Sequence, residues 1–191
     1  MQPVGRHALL AEVASPQDAV ALAAWARGRA LARDVVPGAE TVLFDGVGDH
    51  DALTAALASW RPGESPAGRR VDIPVVYDGP DLETVAAAWR CGVEEVPARH
   101  RAVELLSAFC GFAPGFAYLS GLEVSVPRLA TPRTRVPPGS VALAGTWCGI
   151  YPGASPGGWQ VIGTTDARLW DPRRAEPALL APGTRVRFVA G

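Results

Sequence analysis

Three stretches of this chain concentrate residue types that build binding sites. They are Gly111-Phe112-Ala113-Pro114-Gly115-Phe116-Ala117-Tyr118-Leu119, Pro132-Arg133-Thr134-Arg135-Val136-Pro137-Pro138-Gly139-Ser140-Val141, and Gly149-Ile150-Tyr151-Pro152 running into Ser155-Pro156-Gly157-Gly158-Trp159-Gln160-Val161-Ile162-Gly163. Each interleaves turn formers with aromatics or arginine. Proline fixes φ and glycine permits positive φ, so such loops are rigid and let backbone N–H groups approach a bound group closely.

Within them, Arg133 sits in a proline-bounded segment where its guanidinium could hold a carboxylate or phosphate bidentately, or simply pair with a local acidic side chain. Arg128 is a weaker version of the same idea. Tyr118 and Tyr151 could orient a ligand through their hydroxyls, or be core residues with locally satisfied hydroxyls. Ser155-Pro156-Gly157-Gly158-Trp159 could form an anion-holding nest of N–H groups, or be a tight turn with Trp159 plugging the end of a barrel. It lacks the GK[ST] ending of a nucleotide-binding loop, so by itself it does not argue for a nucleotide. His100 precedes the motifs and could act as a base or orient a phosphate, with a partly exposed structural histidine as an equal alternative. Cys148 has no histidine near it in sequence, which speaks against a catalytic thiol.

The elements that must position these groups fall into two blocks. In the first, Ala8 to Val13 reads as a strand; Ser15-Pro16 supplies an N-cap and a first-turn proline for a helix with Ala19, Leu22, Ala23, Ala26 and Ala30 on one face. Strands Asp34 to Val36 and Thr41 to Gly46 flank the turn former Pro37-Gly38. Asp49 caps a second helix striped by Leu53, Ala56, Leu57 and Trp60, ended by Pro62-Gly63. Residues 61–70 read as a loop. The strand Val71 to Tyr77 is then expected to complete a small α+β sandwich resembling a ferredoxin-like half domain. Asp81 is expected to cap a third helix carrying Leu82, Val85, Ala86 and Trp89, with Gly92 placed to stop it. Val93 to Arg101 fits a further helix only if Pro97 lies in its first turn, and Leu105 to Cys110 fits a strand. From Gly111 onward short β-type runs alternate with Gly and Pro turns, the pattern of a barrel or sandwich. Val141 to Ala144, Gln160 to Ile162 and Arg185 to Val189 are the clearest strands, and in the last Val186 and Phe188 alternate with Arg185 and Arg187. The expected division is 1–78 and 79–191, and no internal repeat is visible.

Bulk properties exclude several classes. The 191 residues are 48% hydrophobic and 19% charged, enough for a sizeable core, and the longest apolar runs are too short to span a bilayer. The start, Met1 to His7, has no secretory pattern, which points to the cytoplasm. Three cysteines, Cys91, Cys110 and Cys148, form no CxxC, and their odd number argues for reduced thiols rather than a disulfide framework or a zinc site. A net charge of −1 with scattered, arginine-dominated basic residues leaves no nucleic-acid footprint, so small molecules or proteins are the expected partners.

The ordered motifs, with Ile73-Pro74-Val75-Val76-Tyr77, Gly79-Pro80-Asp81-Leu82 and the closing Leu179-Leu180-Ala181-Pro182-Gly183-Thr184-Arg185-Val186-Arg187-Phe188, resemble the KipI-like family, also called allophanate hydrolase subunit 1. The B subunits of ATP-dependent 5-oxoprolinases belong to that family. The resemblance spans nearly the whole chain. It implies an α+β protein, with a small ferredoxin-like N-terminal domain followed by a cyclophilin-like β-barrel. It also implies two partners, a homologous C subunit and an A subunit. Such assemblies open the lactam of 5-oxoproline to glutamate at the expense of ATP. The implied cofactor is ATP, shared with the partner subunits and accompanied by magnesium, and no resident metal is implied for this chain. A lactam is a poor electrophile, and phosphorylating its oxygen would activate it. On this basis His100 and Arg133 are the candidate catalytic residues. Pro114, Gly115, Phe116, Tyr118, Arg128, Tyr151, Ser155, Gly157, Gly158 and Trp159 are the candidate substrate-binding residues.

The chain departs from the family pattern at Trp147-Cys148, where Gln-Thr is usual, and at Leu105-Leu106, Glu40 and Arg101. These changes leave the substrate open. A second function of a different class is inhibition of a sensor histidine kinase, as KipI itself does, and a third is an allophanate-type protein with another substrate, although no Ser-Ser-Lys amidase signature is present. A prolyl isomerase would rest on barrel analogy alone.

Overall fold

The computed structural model describes residues 1–63 and 68–191, so residues 64–67 of the expected 61–70 loop lie outside the described residues. The chain divides into two compact units, Met1–Gly68 and Arg69–Gly191. No described helix is long and apolar enough to cross a membrane.

The first unit runs β1 (Gln2–Val4), β2 (Ala8–Glu12), α1 (Pro16–Arg27), β3 (Asp34–Pro37), β4 (Thr41–Asp45) and α2 (His50–Ser59). Both helix starts follow the capping logic of the sequence. The Ser15 hydroxyl accepts from Asp18 N with Pro16 in the first turn, and Asp49 Oδ1 accepts from Asp51 N and Ala52 N at 2.9 and 3.0 Å. The antiparallel sheet has the order β1-β2-β4-β3. Alternation along β4 sends Val42 and Phe44 inward, where they meet Ala19, Leu22, Ala23 and Ala26 of α1. Fully burying a side chain such as Phe44 contributes about 1.5–3 kcal/mol. The expected Pro37-Gly38 hairpin is present, with Gly38 N donating to Thr41 O at 2.7 Å. The short β1 is an addition that its exposed, unpatterned residues do not announce.

One expectation is overturned. The strand over residues 71–77, expected to complete the first unit, is β5 (Arg70–Val75), and it pairs in parallel with β13 (Arg185–Ala190) of the second unit, so the division falls before it. A partner more than a hundred residues away leaves no local mark in the sequence.

Between these two strands come α3 (Leu82–Trp89), a 3-10 turn (Val93–Glu95), α4 (Val96–Ala102), β6 (Glu104–Cys110), β7 (Ala117–Ser120), β8 (Arg133–Val136), β9 (Ser140–Ala144), β10 (Trp147–Ile150), β11 (Ser155–Gly157) and β12 (Gln160–Thr164). Pro97 occupies the first turn of α4, as that helix required. Helix α3 stops before the position expected: Arg90 adopts the left-handed conformation, with φ 53°, and Gly92 instead caps the 3-10 turn.

The main sheet is seven-stranded, β12-β9-β10-β7-β6-β13-β5, and it curls until its edges meet. Just after β5, Val76 and Thr164 exchange two backbone hydrogen bonds of 2.9 and 2.8 Å, and Gly79 N donates to Ile162 O along the same seam. A Cβ on Gly79 would collide with the β12 backbone, and one on Gly163 with the Val76 carbonyl, so glycine is required on both sides of the closure. Strand β9 is buried along its whole length because both faces are covered. Val141 and Leu143 join the inner core with Ile73, Leu119, Ile150 and Phe188, while Ala142 and Ala144 join an outer aromatic cluster. That outer cluster holds the candidate site.

Candidate functional site

Phe116 is the hub of the outer cluster. Its ring lies 5.1 to 5.5 Å from those of Phe112, Tyr118, Tyr151 and Trp159, each edge to face, the arrangement preferred by ring quadrupoles. Phe109 stacks on Tyr118 at 4.3 Å, and Trp147 packs edge-on against both rings. Strands β7 and β10 present these side chains because alternate residues of each point outward. Tyr118 faces out while Leu119 faces the core, and Trp147 faces out while Cys148 faces in.

The aromatics wall a cavity of about 380 Å³ lined by Phe112, Phe116, Tyr118, Arg128, Ala144, Gly145, Trp147, Tyr151, Pro156, Gly157 and Trp159. Its polar side-chain groups are few: two phenols, two indole N–H groups and Arg128. Arg128 is exposed and makes no ion pair or side-chain hydrogen bond among the described residues, so its guanidinium is free for a ligand. No acidic side chain lines the cavity. Burial raises the Tyr151 phenol above its ordinary range, against the opposing pull of the Trp159 N–H and nearby Arg128, so Tyr151 is a neutral donor at pH 7. Gly157 is there for steric reasons: a Cβ would strike the Tyr151 hydroxyl. The chemistry on offer is recognition of a small flat group carrying one negative charge.

The fold thus gathers Phe116, Tyr118, Arg128, Tyr151, Gly157 and Trp159 from the sequence candidates. Phe112 and Trp147 complete the wall. Phe112 was visible within its motif, and Trp147 showed only as a departure from a family pattern. Gly115, at φ 87°, and Pro114 shape the loop beneath: Pro114 lines a neighbouring cavity, and a Cβ on Gly115 would crowd Trp170. Ser155 and Gly157 form β11, paired with β8, rather than a nest of N–H groups. Gly158 packs against Pro132 and accepts from Leu129 N at 2.8 Å.

Arg133 and His100 are not brought to this cavity. Arg133 lies in β8 rather than in a loop, and its Nη2 is 2.7 Å from Asp81 Oδ1. Asp81 precedes α3 but does not cap it with its side chain; its other oxygen accepts from Val161 N at 2.6 Å. His100 is fully buried inside the curled sheet, with ring nitrogens 2.8 Å from the Tyr77 hydroxyl and 3.5 Å from Cys148 Sγ, and its ring packs on Phe188. Burial pushes its pKa down to about 3 and raises the Cys148 thiol well above its usual range, so both are neutral core groups. All three cysteines are free. Among the described residues no cluster of His, Cys, Asp or Glu could hold a metal ion.

Comparison with known proteins agrees with this architecture. The family model described as carboxyltransferase domain, subdomain C and D, matches residues 1–180. The chain is 48% identical over 148 residues to the 5-oxoprolinase B subunit of Escherichia coli O157:H7, covering 73% of this chain and 67% of that protein. It is 44% identical over 126 residues to the 5-oxoprolinase B subunit of Bacillus subtilis (strain 168), covering 63% and 52%. The crystal structure of a protein named TTHA0988 superposes with a TM-score of 0.81 at 35% identity, covering 97% of this chain and 40% of that one. The match therefore spans about half to two thirds of these curated relatives' length.

Proposed function

This chain belongs to the carboxyltransferase domain family, subdomain C and D, and from that premise we propose that it serves as the B subunit of an ATP-dependent 5-oxoprolinase. In this reading it works with the A and C subunits in the cytoplasm to hydrolyse 5-oxo-L-proline to L-glutamate. The observation that carries the proposal is the aromatic cavity with Arg128 as its one free charge. 5-Oxoproline is a flat five-membered lactam with a single carboxylate, and the cavity offers ring faces for the first and a guanidinium for the second. Relatives bearing that function in their names support the substrate.

In this role Arg128 binds the carboxylate, Tyr118 and Tyr151 donate to the lactam oxygen, and Phe116 with Trp159 excludes water from the ring. ATP supplies activation of the lactam oxygen. Ser155-Pro156-Gly157 is a paired strand and offers no nest, and the nucleotide with its magnesium is read as shared with the partner subunits. We read the curled sheet as a cyclophilin-like barrel, supported by the Val76–Thr164 closure, and the first unit as ferredoxin-like, supported by the β2-α1-β3-β4 succession.

The test is reconstitution. The chain, mixed with homologues of the A and C subunits, should release glutamate from 5-oxoproline only when ATP is present. No turnover by the complete set would refute the assignment.

A further inference from the structure

The loop between β6 and β7 holds a feature that folding alone does not explain. Phe112 has φ 71°, and Ala113 N donates to the Gly111 carbonyl at 2.9 Å, which closes a three-residue γ-turn around it. A bulky side chain at positive φ is an outlier, and glycine would occupy this position without strain. Two glycines, Gly111 and Gly115, stand in the same loop, yet the strained position carries a phenylalanine. The side chain gains little burial in return, because Phe112 is 63% exposed, the most exposed large hydrophobic residue among those described. The ring is nevertheless held in place, edge to face with Phe116 at 5.4 Å and with Tyr151 at 6.5 Å, on the rim of the cavity that contains Arg128.

We propose that Phe112 is a specificity-determining residue of this cavity, selecting ligands whose carboxylate is carried on a ring over open-chain amides with the same two polar groups. This selectivity rests on the lactam reading of the cavity and gives it a structural origin. The γ-turn sets the Phe112 ring beside Phe116 and Tyr151 on the cavity rim, so a flat ring anchored by Arg128 meets an apolar surface at the mouth as well as within the wall. An open-chain ligand can satisfy Arg128 and the phenols but leaves that surface uncovered. Strained residues collect at ligand clamps because the surroundings over-determine them, here through Pro114, the Phe116 N to Ala113 O bond of 2.9 Å and the two ring contacts.

The experiment uses the full chain assembled with homologues of the A and C subunits. It is titrated with 5-oxo-L-proline and with N-acetyl-L-alanine, an open-chain amide carboxylate, following tryptophan fluorescence from the cavity wall. The wild type should prefer the ring ligand. Phe112→Gly, which the backbone accommodates without strain, should weaken ring binding about tenfold, or about 1.4 kcal/mol, and leave open-chain binding unchanged. Phe112→Tyr should retain the wild-type preference. Equal ring affinity in wild type and Phe112→Gly would overturn this assignment while leaving the lactam reading intact. Failure of the wild type to bind either ligand would overturn the lactam reading and this inference with it.

Discussion

Arg133 Nη2 stands 2.7 Å from Asp81 Oδ1, and through this contact three elements far apart in sequence are tied together. Asp81 immediately precedes α3, its second oxygen takes the Val161 N–H of β12, and Arg133 belongs to β8. The Asp81 side chain is only 9% exposed and that of Arg133 31%. A buried pair of this kind is worth little against an apolar replacement, but removing one partner leaves the other's charge uncompensated.

Asp81→Asn is therefore expected to lower the stability of the second unit by about 2–3 kcal/mol, less than a fully buried pair would lose because Arg133 is partly solvated. Arg133→Gln should cost a similar amount, and the double variant should recover part of the loss. Urea unfolding of the wild type and the three variants measures this coupling, and strictly additive losses would show that the two side chains do not act as a unit.

His100 gives a pH signature. Burial holds its folded-state pKa down to about 3, whereas an unfolded histidine titrates near 6.5. Between those values the unfolded state takes up the proton, so the contribution is fully present above about pH 6.5 and is lost as the pH falls toward 3. From pH 7 to pH 5 the wild type should lose about 2 kcal/mol from this residue. His100→Gln, which cannot titrate there, should be less stable at pH 7 and show a flatter profile. Parallel profiles for the two proteins would remove His100 as the cause.

Local chemistry made much of the fold legible. Ser15 and Asp49 cap as their neighbours dictate, and Val186 and Phe188 alternate with arginines because β13 has one wet face. What stayed hidden depends on distant partners. Asp81 has the identity of an N-cap, but the Val161 N–H and Arg133 compete successfully for its carboxylate. β5 reads as the last strand of the first block because nothing in it records its parallel partner β13. The cavity was legible as motifs, since Phe116, Tyr118, Tyr151 and Trp159 share an aromatic pattern. His100 was not placed, because chemical type cannot tell a core histidine from a catalytic one. The adjacent Trp147 and Cys148 differ only in strand parity, which puts one in the cavity wall and the other beside His100.

Arg128 separates binding from folding. Its side chain is exposed and no described ion pair would be lost, so Arg128→Ala should leave the unfolding midpoint unchanged. In the reconstituted complex the same change should raise KM for 5-oxoproline at least tenfold, since a charge-assisted hydrogen bond to a carboxylate contributes about 1.5–3 kcal/mol. Steady-state kinetics across a range of salt should show the wild-type KM rising with ionic strength and the variant KM nearly flat. An unaltered KM would place the carboxylate elsewhere.

The pairing of Gly157 with Tyr151 allows a test in which one change repairs another. A Cβ at Gly157 would overlap the Tyr151 hydroxyl and crowd the adjacent ring carbon, so Gly157→Ala must push the phenol out of its place beside Phe116. Overpacking of this kind costs about 1–3 kcal/mol. Tyr151→Phe removes the overlapping oxygen and keeps the ring; by itself it should lower stability by about 1 kcal/mol, because the Trp159 backbone N–H loses its acceptor, and weaken lactam binding through the lost donor. The double variant should then regain part of the stability lost in Gly157→Ala without regaining affinity. Thermal unfolding and ligand titration of the four proteins read the two quantities separately. Recovery of both together would mean that the hydroxyl serves packing alone, and recovery of neither would mean that Gly157 is required for the β8–β11 pairing rather than for the space it leaves to Tyr151.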